Sequence, residues 1–212
     1  MACVGLAVGA AGVLLPAGES RIRGATTRLD EFAPVWQFHE VHTLRIAAPP
    51  DRVFDAIKQV RADEIFLFHT LTWIRRGGRP LPPSIMNAGS DEALLDIATK
   101  GGFVWLADDR PREVVVGTVV AAPAGYRRAQ LTPGLFKAAL PPGFALATMN
   151  FVVTPDGPNA SIVSTETRVF ATDASARRHF AAYWRVIYPG SAIIRRMWLR
   201  AIERRAIQSP AR

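Results

Sequence analysis

The sequence predicts an α+β domain in which helices cover one side of an antiparallel sheet. Segments with strand-like alternation follow one another between residues 103 and 171, and a long amphipathic helical segment follows them. A single strand and two helical segments precede this run. Because an apolar sheet face needs cover, we expect the helices to lie together on one side of the sheet. The 212 residues suffice for one core of ordinary size.

The first 35 residues are expected to lie outside this domain, which we place at residues 36–208. Residues 1–15 are small and apolar, but no basic residue precedes them and the run is shorter than the about 20 residues of a membrane-spanning helix. We interpret them as a truncated export signal or anchor, or as a disordered extension, and residues 16–35 as a linker. Arg21, Arg23 and Arg28 would keep an anchored domain cytoplasmic, so we expect a cytoplasmic protein or one tethered to the cytoplasmic membrane.

The first strand is predicted at residues 38–47, where side chains of alternate character face opposite ways. Pro49 and Pro50 then open a helix with apolar residues on one side. A second helix is predicted from Ala62 to about Arg75, although its apolar centre is equally compatible with a strand. After a break rich in glycine and proline, a short helical insertion is predicted with Ser90 as its N-cap.

Four further strands complete the predicted sheet, at residues 103–107, 113–121, 144–154 and 160–171. Turn-forming residues join the first two strands, and the segment from Pro155 to Asn159 joins the last two. Between these two pairs, Thr132 and Pro133 start a short helical piece.

One long amphipathic helix, kinked at Pro189, is predicted after Asp173. With Asp173 as N-cap and about 100° per residue, the apolar side chains fall within one arc about 100° wide. The stripe keeps its register across Pro189, which favours one kinked helix over two unrelated helices. Its members are Phe180, Tyr183, Trp184, Ile187, Ser191, Ile194, Trp198, Ala201 and Ile202.

The whole net charge of +8 belongs to this terminal segment, because residues 174–212 hold nine arginines and one acidic residue, Glu203. A solvated helix face, an anionic membrane surface and nucleic acid are the three interpretations. Nucleic acid is the least favoured, since the aromatic residues belong to the buried stripe and offer no stacking surface for bases. The candidates for contact with an anionic membrane are Arg195, Arg196, Arg200, Arg204 and Arg205.

Three stretches of the chain resemble the START-like superfamily, also called the SRPBCC or polyketide cyclase/dehydrase group. Ile46–Ile57 resembles its strand-to-helix opening, Ser164–Val169 its last strand and Phe180–Ala206 its final helix, as seen in uncharacterised bacterial members. The resemblance covers residues 38–206. It implies a helix-grip fold, in which an antiparallel sheet wraps around the long C-terminal helix.

The resemblance bears on function less than on fold, because none of its motifs is catalytic. Members of the group range from lipid and sterol carriers to cyclases and ring-hydroxylating subunits. Two departures are visible here: an insertion from Gly77 to Lys100 lengthens the connection between helix and sheet, and nothing matches the Cys/His iron sites of the oxygenase branch. We therefore expect no cofactor.

Strand parity and helical phase together select a set of inward-facing residues. The set is mostly aromatic and aliphatic with a few hydroxyls, which is typical of a small-molecule cavity and also of a packed core. The resemblance favours a cavity that binds a lipid, isoprenoid or polyketide-like molecule. The expected ligand-binding residues are Trp105, Met149, Phe151, Thr165, Thr167, Tyr183 and Trp184.

Catalysis is the alternative, since a cyclase or dehydrase would need an acid or base inside the same cavity. Strand parity places the most obvious acid, Glu166, on the outer face, so no catalytic residue is expected. His39 and His42 are three residues apart in a strand, which is not the spacing of a zinc site, and the single Cys3 excludes a multi-cysteine site. We expect no metal. An interaction domain with a filled core is the remaining alternative.

Overall fold

The computed structural model describes residues 18–79, 84–127 and 130–208. The apolar segment at residues 1–15 and the final residues 209–212 lie outside these ranges. The elements are, in chain order, β1 (Ser20–Arg21), α1 (Leu29–Phe32), β2 (Val35–Trp36), β3 (Phe38–Ile46), α2 (Pro50–Gln59), α3 (Phe68–Arg75), α4 (Leu94–Lys100), β4 (Val104–Asp109), β5 (Glu113–Ala121), β6 (Ala145–Pro155), β7 (Ser161–Ala171) and α5 (Ala174–Gln208), with 3-10 helices at Ala62–Glu64, Ile85–Asn87 and Pro133–Phe136.

Five strands form one antiparallel sheet in the order β3-β7-β6-β5-β4. The longest ladder joins β6 to β7, from Ala145 opposite Ala171 to Pro155 opposite Ser161. Register shifts between Trp105 and Ala107 and between Val119 and Ala121 mark bulges, which bend and twist the strands that carry them. The predicted α+β class and antiparallel sheet are confirmed, and each of the five strands lies where the sequence pattern predicts it.

Helix α5 lies against the concave face of this sheet and contacts β3, β7 and α2. Its start is capped by Asp173, whose Oδ1 accepts hydrogen bonds from the amides of Ser175 at 2.7 Å and Ala176 at 3.0 Å. The helix continues through Pro189 as one element of 35 residues. This is a helix-grip arrangement, and the prediction of one long helix is confirmed.

The C-terminal half of α5 forms the core together with the sheet and α2. Trp198 is only 1% exposed and packs edge-on against Phe151 of β6, with 5.0 Å between the ring centroids. Ile202, one turn further on, is fully buried in the same cluster. The helix therefore rests directly on the sheet at this end.

The outer face of the sheet is covered by residues that the sequence pattern assigns to a linker. Within the described part of residues 16–35, α1 and the β1–β2 pair pack on this face, and Leu29 is fully buried. The buried Glu113 carboxylate accepts hydrogen bonds from the amides of Arg28 at 2.7 Å and Leu29 at 3.1 Å. The linker interpretation is wrong for these residues, because the contacts that hold them come from a strand far along the chain.

Two smaller elements differ from the expected bounds. The second helix starts only at Phe68, after Leu67 takes a left-handed conformation with φ of 61°. The helix of the insertion starts at Leu94 with Ala93, not Ser90, at its N-cap. The short helical piece starts at Pro133, as the sequence pattern predicts, and is a 3-10 helix. Residues 80–83 of the insertion lie outside the described ranges.

Candidate functional site

A cavity of about 630 Å³ lies between the concave face of the sheet and the N-terminal two thirds of α5. This volume falls within the about 300 to 1,000 Å³ of small-molecule sites. Residues of β5, β6, β7 and α5 line it, and α3 and the segments around Ile85 and Phe103 complete the wall. Most of the lining side chains are aliphatic or aromatic, so the site suits an apolar molecule.

Aromatic side chains of α5 form one end of the cavity. Phe180 packs edge-on against Phe38 of β3 with 4.9 Å between centroids, and its ring lies 5.7 Å from that of Tyr183 and 5.8 Å from that of Trp184. These rings hold the helix to the sheet at its N-terminal end, while Trp198 does so at the other end. The cavity occupies the interval between the two contacts.

Four of the seven predicted ligand-binding residues lie on the cavity wall: Met149, Thr167, Tyr183 and Trp184. Their placement follows from the parity of β6 and β7 and from the phase of α5. A role in ligand binding stays a prediction for each of them.

The other three predicted residues do not line the cavity. Phe151 lies beneath Trp198, where the helix rests directly on the sheet. Thr165 is buried and donates its hydroxyl to the carbonyl of Asn150 at 2.8 Å. Trp105 packs beside the core with the ammonium group of Lys58 3.9 Å from its ring centre. Strand parity selects the correct face of the sheet but does not show where along that face the helix makes contact.

Arg195 lies on the cavity wall, so its assignment to a membrane-facing surface is wrong. It follows Ser191 by four residues and precedes Trp198 by three, and this spacing places it on the same helix face as those two residues. Its guanidinium lies 5.5 Å from the Trp198 ring centre and donates to the sulfur of Met149. Burial lowers the pKa of Arg195 to about 10, a shift that Glu40 opposes and Arg75 reinforces, so the group is still charged at neutral pH.

A second arginine, Arg75 of α3, lies at the rim of the same cavity. Its Nε donates to the hydroxyl of Tyr183 at 2.9 Å, and its guanidinium carbon lies 5.5 Å from the centre of that ring. This contact joins α3 to α5 across the cavity rim. The predicted ligand residue Tyr183 is therefore already oriented by a cation.

A buried polar cluster that the sequence pattern does not predict lies beside the cavity. Glu40 of β3 is 3% exposed, and its two carboxylate oxygens bond His42 Nε2 at 2.8 Å and the hydroxyl of Ser191 at 2.9 Å. Ser191 in turn lines the cavity. Two signals in the sequence indicate the cluster. Glu40 lies two residues after the inward-facing Phe38, so it faces the same side of β3, and Ser191 is the one serine within the apolar stripe of α5.

The other predicted membrane-facing arginines do not form one free cationic surface. Arg200 pairs with Glu203 at 2.8 Å, Arg204 donates to the Glu64 carbonyl at 2.6 Å, and Arg205 pairs with the Glu64 carboxylate at 2.6 Å. Arg196 is exposed. Three of these four arginines therefore already bind a carboxylate or a carbonyl group of the protein itself.

Glu166 lies on the outer face, as its parity predicts. Burial alone would raise the pKa of Glu166, but hydrogen bonds from His39 at 2.7 Å and from Arg168 outweigh burial and lower this pKa. Arg168 also pairs with the buried Asp30 at 2.7 Å. The carboxylate therefore belongs to a network that attaches residues of the N-terminal region to the sheet.

Within the described ranges, no group of three or more His, Cys, Asp or Glu side chains is arranged to hold a metal ion. Among the helices of the same residues, none is both long enough and apolar enough to cross a membrane.

Comparisons with known proteins find similar structures but no family. No family model and no curated protein matches this chain. A protein from Mesorhizobium loti is 15% identical with a TM-score of 0.40, over 82% of this chain and 100% of that one. Norcoclaurine synthase from Thalictrum flavum, in complex with dopamine and hydroxybenzaldehyde, is 11% identical with a TM-score of 0.40, over 91% of this chain and 99% of that one. A hypothetical protein from Helicobacter pylori is 7% identical with a TM-score of 0.45, over 88% of this chain and 98% of that one.

Values at this level assign the chain to no family and to no activity. What the structure itself defines is a helix-grip α+β domain with a cavity between its long helix and the sheet.

Proposed function

We propose that this protein binds an apolar or amphipathic small molecule in the cavity between α5 and the sheet. The observation that carries the proposal is the cavity itself, with about 630 Å³ of space inside walls that are mainly aliphatic and aromatic. Lipids, isoprenoids and polyketide-like molecules have the matching surface. The interaction domain with a filled core gains no support, since a filled core would leave no such space.

A neutral fluorescent dye, Nile red, tests the proposal by titration into the purified protein. Trp184→Ala should weaken dye binding at least about tenfold, because it removes a large apolar wall of the cavity. Trp105→Ala is the matched control, since Trp105 is also partly buried but lies outside the cavity wall. Thermal unfolding must be measured beside binding, because truncating a buried tryptophan typically costs about 3 to 5 kcal/mol. Equal loss of binding in the two variants at equal stability would contradict the proposal.

A cyclase-type enzyme is the second candidate, and the cluster of Glu40, His42 and Ser191 is the observation that favours it. The Ser191 hydroxyl on the cavity wall donates to the Glu40 carboxylate, so a proton from a bound molecule could reach Glu40 through this hydroxyl. Steady conversion of a polyketide-like substrate, lost in Glu40→Gln but kept in Glu166→Gln, would favour the enzyme. Glu166 is the matched control because it is a hydrogen-bonded carboxylate on the opposite face.

A further inference from the structure

Two arginines line a cavity whose walls are mainly apolar, and neither of them forms an ion pair with another described residue. Among the described residues, neither Arg75 nor Arg195 has a carboxylate within salt-bridge distance. Glu40 acts on Arg195 through its charge, but its two oxygens are bonded to His42 and Ser191. The contacts of Arg195 are the Met149 sulfur and the Trp198 ring.

Such contacts compensate a buried cation poorly. A thioether sulfur is a weak acceptor, and a ring face attracts a cation less strongly than a carboxylate does. Taking a charge out of water is costly unless an opposite charge or strong acceptors replace the water. A purely apolar ligand would remove water from Arg195 and leave this cost in place, whereas a ligand with an anionic group would offset it.

The described residues that line the cavity include two arginines, Arg75 and Arg195, but no aspartate or glutamate. This combination is complementary to an acceptor-rich, negatively charged group.

We propose that the ligand is an apolar molecule carrying one anionic group, a carboxylate or a phosphate, which binds Arg195 from within the cavity and Arg75 at its rim. The proposal rests on the proposed binding function and specifies its ligand class. Arg75 and Arg195 lie near enough that the charge of Arg75 reinforces the lowered pKa of Arg195. An anion between them would relieve that repulsion while the ligand's apolar body packs against Trp184 and Met149.

Displacement of Nile red by dodecanoate, dodecyl phosphate and dodecanol tests this class, because the three ligands share one chain and differ in their head groups. We expect at least one anion to bind the wild-type protein about tenfold or more tightly than dodecanol, as one charge-assisted hydrogen bond would provide. A stronger effect of dodecanoate assigns the head group as a carboxylate, and a stronger effect of dodecyl phosphate assigns it as a phosphate.

Two variants and one control locate the anion. Arg195→Met and Arg75→Met should each reduce the preference for the anion over dodecanol to about twofold or less while Nile red still binds. Arg196→Met is the matched control, because Arg196 neighbours Arg195 on the same helix but is exposed and does not line the cavity. It should keep the wild-type preference. If Arg195→Met does not fold, the preference measured for Arg75→Met at the cavity rim alone tests whether the anion binds there.

Equal binding of all three ligands, or a preference that survives in both arginine variants, would overturn the anion proposal while leaving small-molecule binding intact. Failure of Nile red and of every ligand to bind would instead contradict the binding function itself. The two failures are therefore distinguishable.

Discussion

Buried charge is distributed unevenly between the two faces of the sheet. On the outer face, Arg168 is neutralised at close range by Asp30 and Glu166. On the cavity side, Arg195 has no such partner among the described residues. An unpaired buried charge destabilises a fold more than a paired one does. The paired network of Arg168 is therefore suited to stabilising the structure, and the unpaired Arg195 is suited to binding a ligand.

The Asp30 carboxylate allows a test of the paired network through pH. Burial alone would raise the pKa of Asp30, but amide hydrogen bonds from Thr26 and Thr27 and the Arg168 guanidinium outweigh it and lower this pKa to about 2. Because the pKa is lower in the folded state, the stabilisation is present above about pH 4 and is lost as pH falls towards 2.

We expect Asp30→Asn to reduce the free energy of unfolding by about 2 kcal/mol at pH 7, and the difference from wild type to shrink below pH 4. Denaturant unfolding of both proteins at a series of pH values measures this difference in the free energy of unfolding. Asp156→Asn is the control, because Asp156 pairs with Arg45 on the exposed surface, and its loss should change stability by less than about 1 kcal/mol. A loss in Asp30→Asn that is constant from pH 7 to 2 would contradict the titration argument.

At the scale of elements, α5 determines the shape of the cavity. It rests on the sheet through Phe180 near its start and through Trp198 near its end, and Pro189 lies between these contacts. A proline within a helix removes one backbone hydrogen bond and bends the helix away from the preceding turn. The predicted kink would thus set how far the middle of α5 stands from the sheet.

Pro189→Ala should straighten α5 and shift Trp184 relative to Trp198. A crystal structure of the variant measures the bend, and Nile red affinity measures the effect on the cavity. We expect a changed affinity of at least about threefold without loss of folding, because alanine is favourable in a helix. Unchanged helix geometry in the variant would show that Pro189 causes no kink.

At the scale of the whole molecule, the charge of +8 suggests attraction to anionic surfaces, and contact with a membrane stays a prediction. Of the arginines predicted to contact a membrane, Arg196, Arg200 and Arg204 are exposed in the structure. Arg200 and Arg204 already contact other groups of the protein. Replacing Arg196 and Arg200 together by glutamine should weaken binding to phosphatidylserine vesicles about fivefold per residue. Sedimentation with vesicles measures it, and neutral phosphatidylcholine vesicles are the control. An unchanged affinity would exclude this face as the membrane contact.

The elements of this fold could be predicted from the sequence because their signals are local. Alternation of side chains along β6 and β7 and the stripe along α5 depend on a few neighbouring residues, and each pattern reports which side of an element is apolar. These patterns also predict that Met149 and Thr167 lie on the concave face and Glu166 on the outer face, where the structure has them.

Only the tertiary structure decided which residues meet. Glu113 binds the amides of Arg28 and Leu29 across more than eighty positions of sequence, so no local pattern marks residues 18–35 as part of the fold. Likewise, periodicity places Arg195 at the edge of the apolar stripe, but only the packing of α5 against the sheet directs its guanidinium into the cavity rather than into solvent. The order of apolar and polar residues along the chain determines which face of each helix or strand is apolar. The distance between the packed helix and sheet determines where a cavity forms and which charged side chains line it.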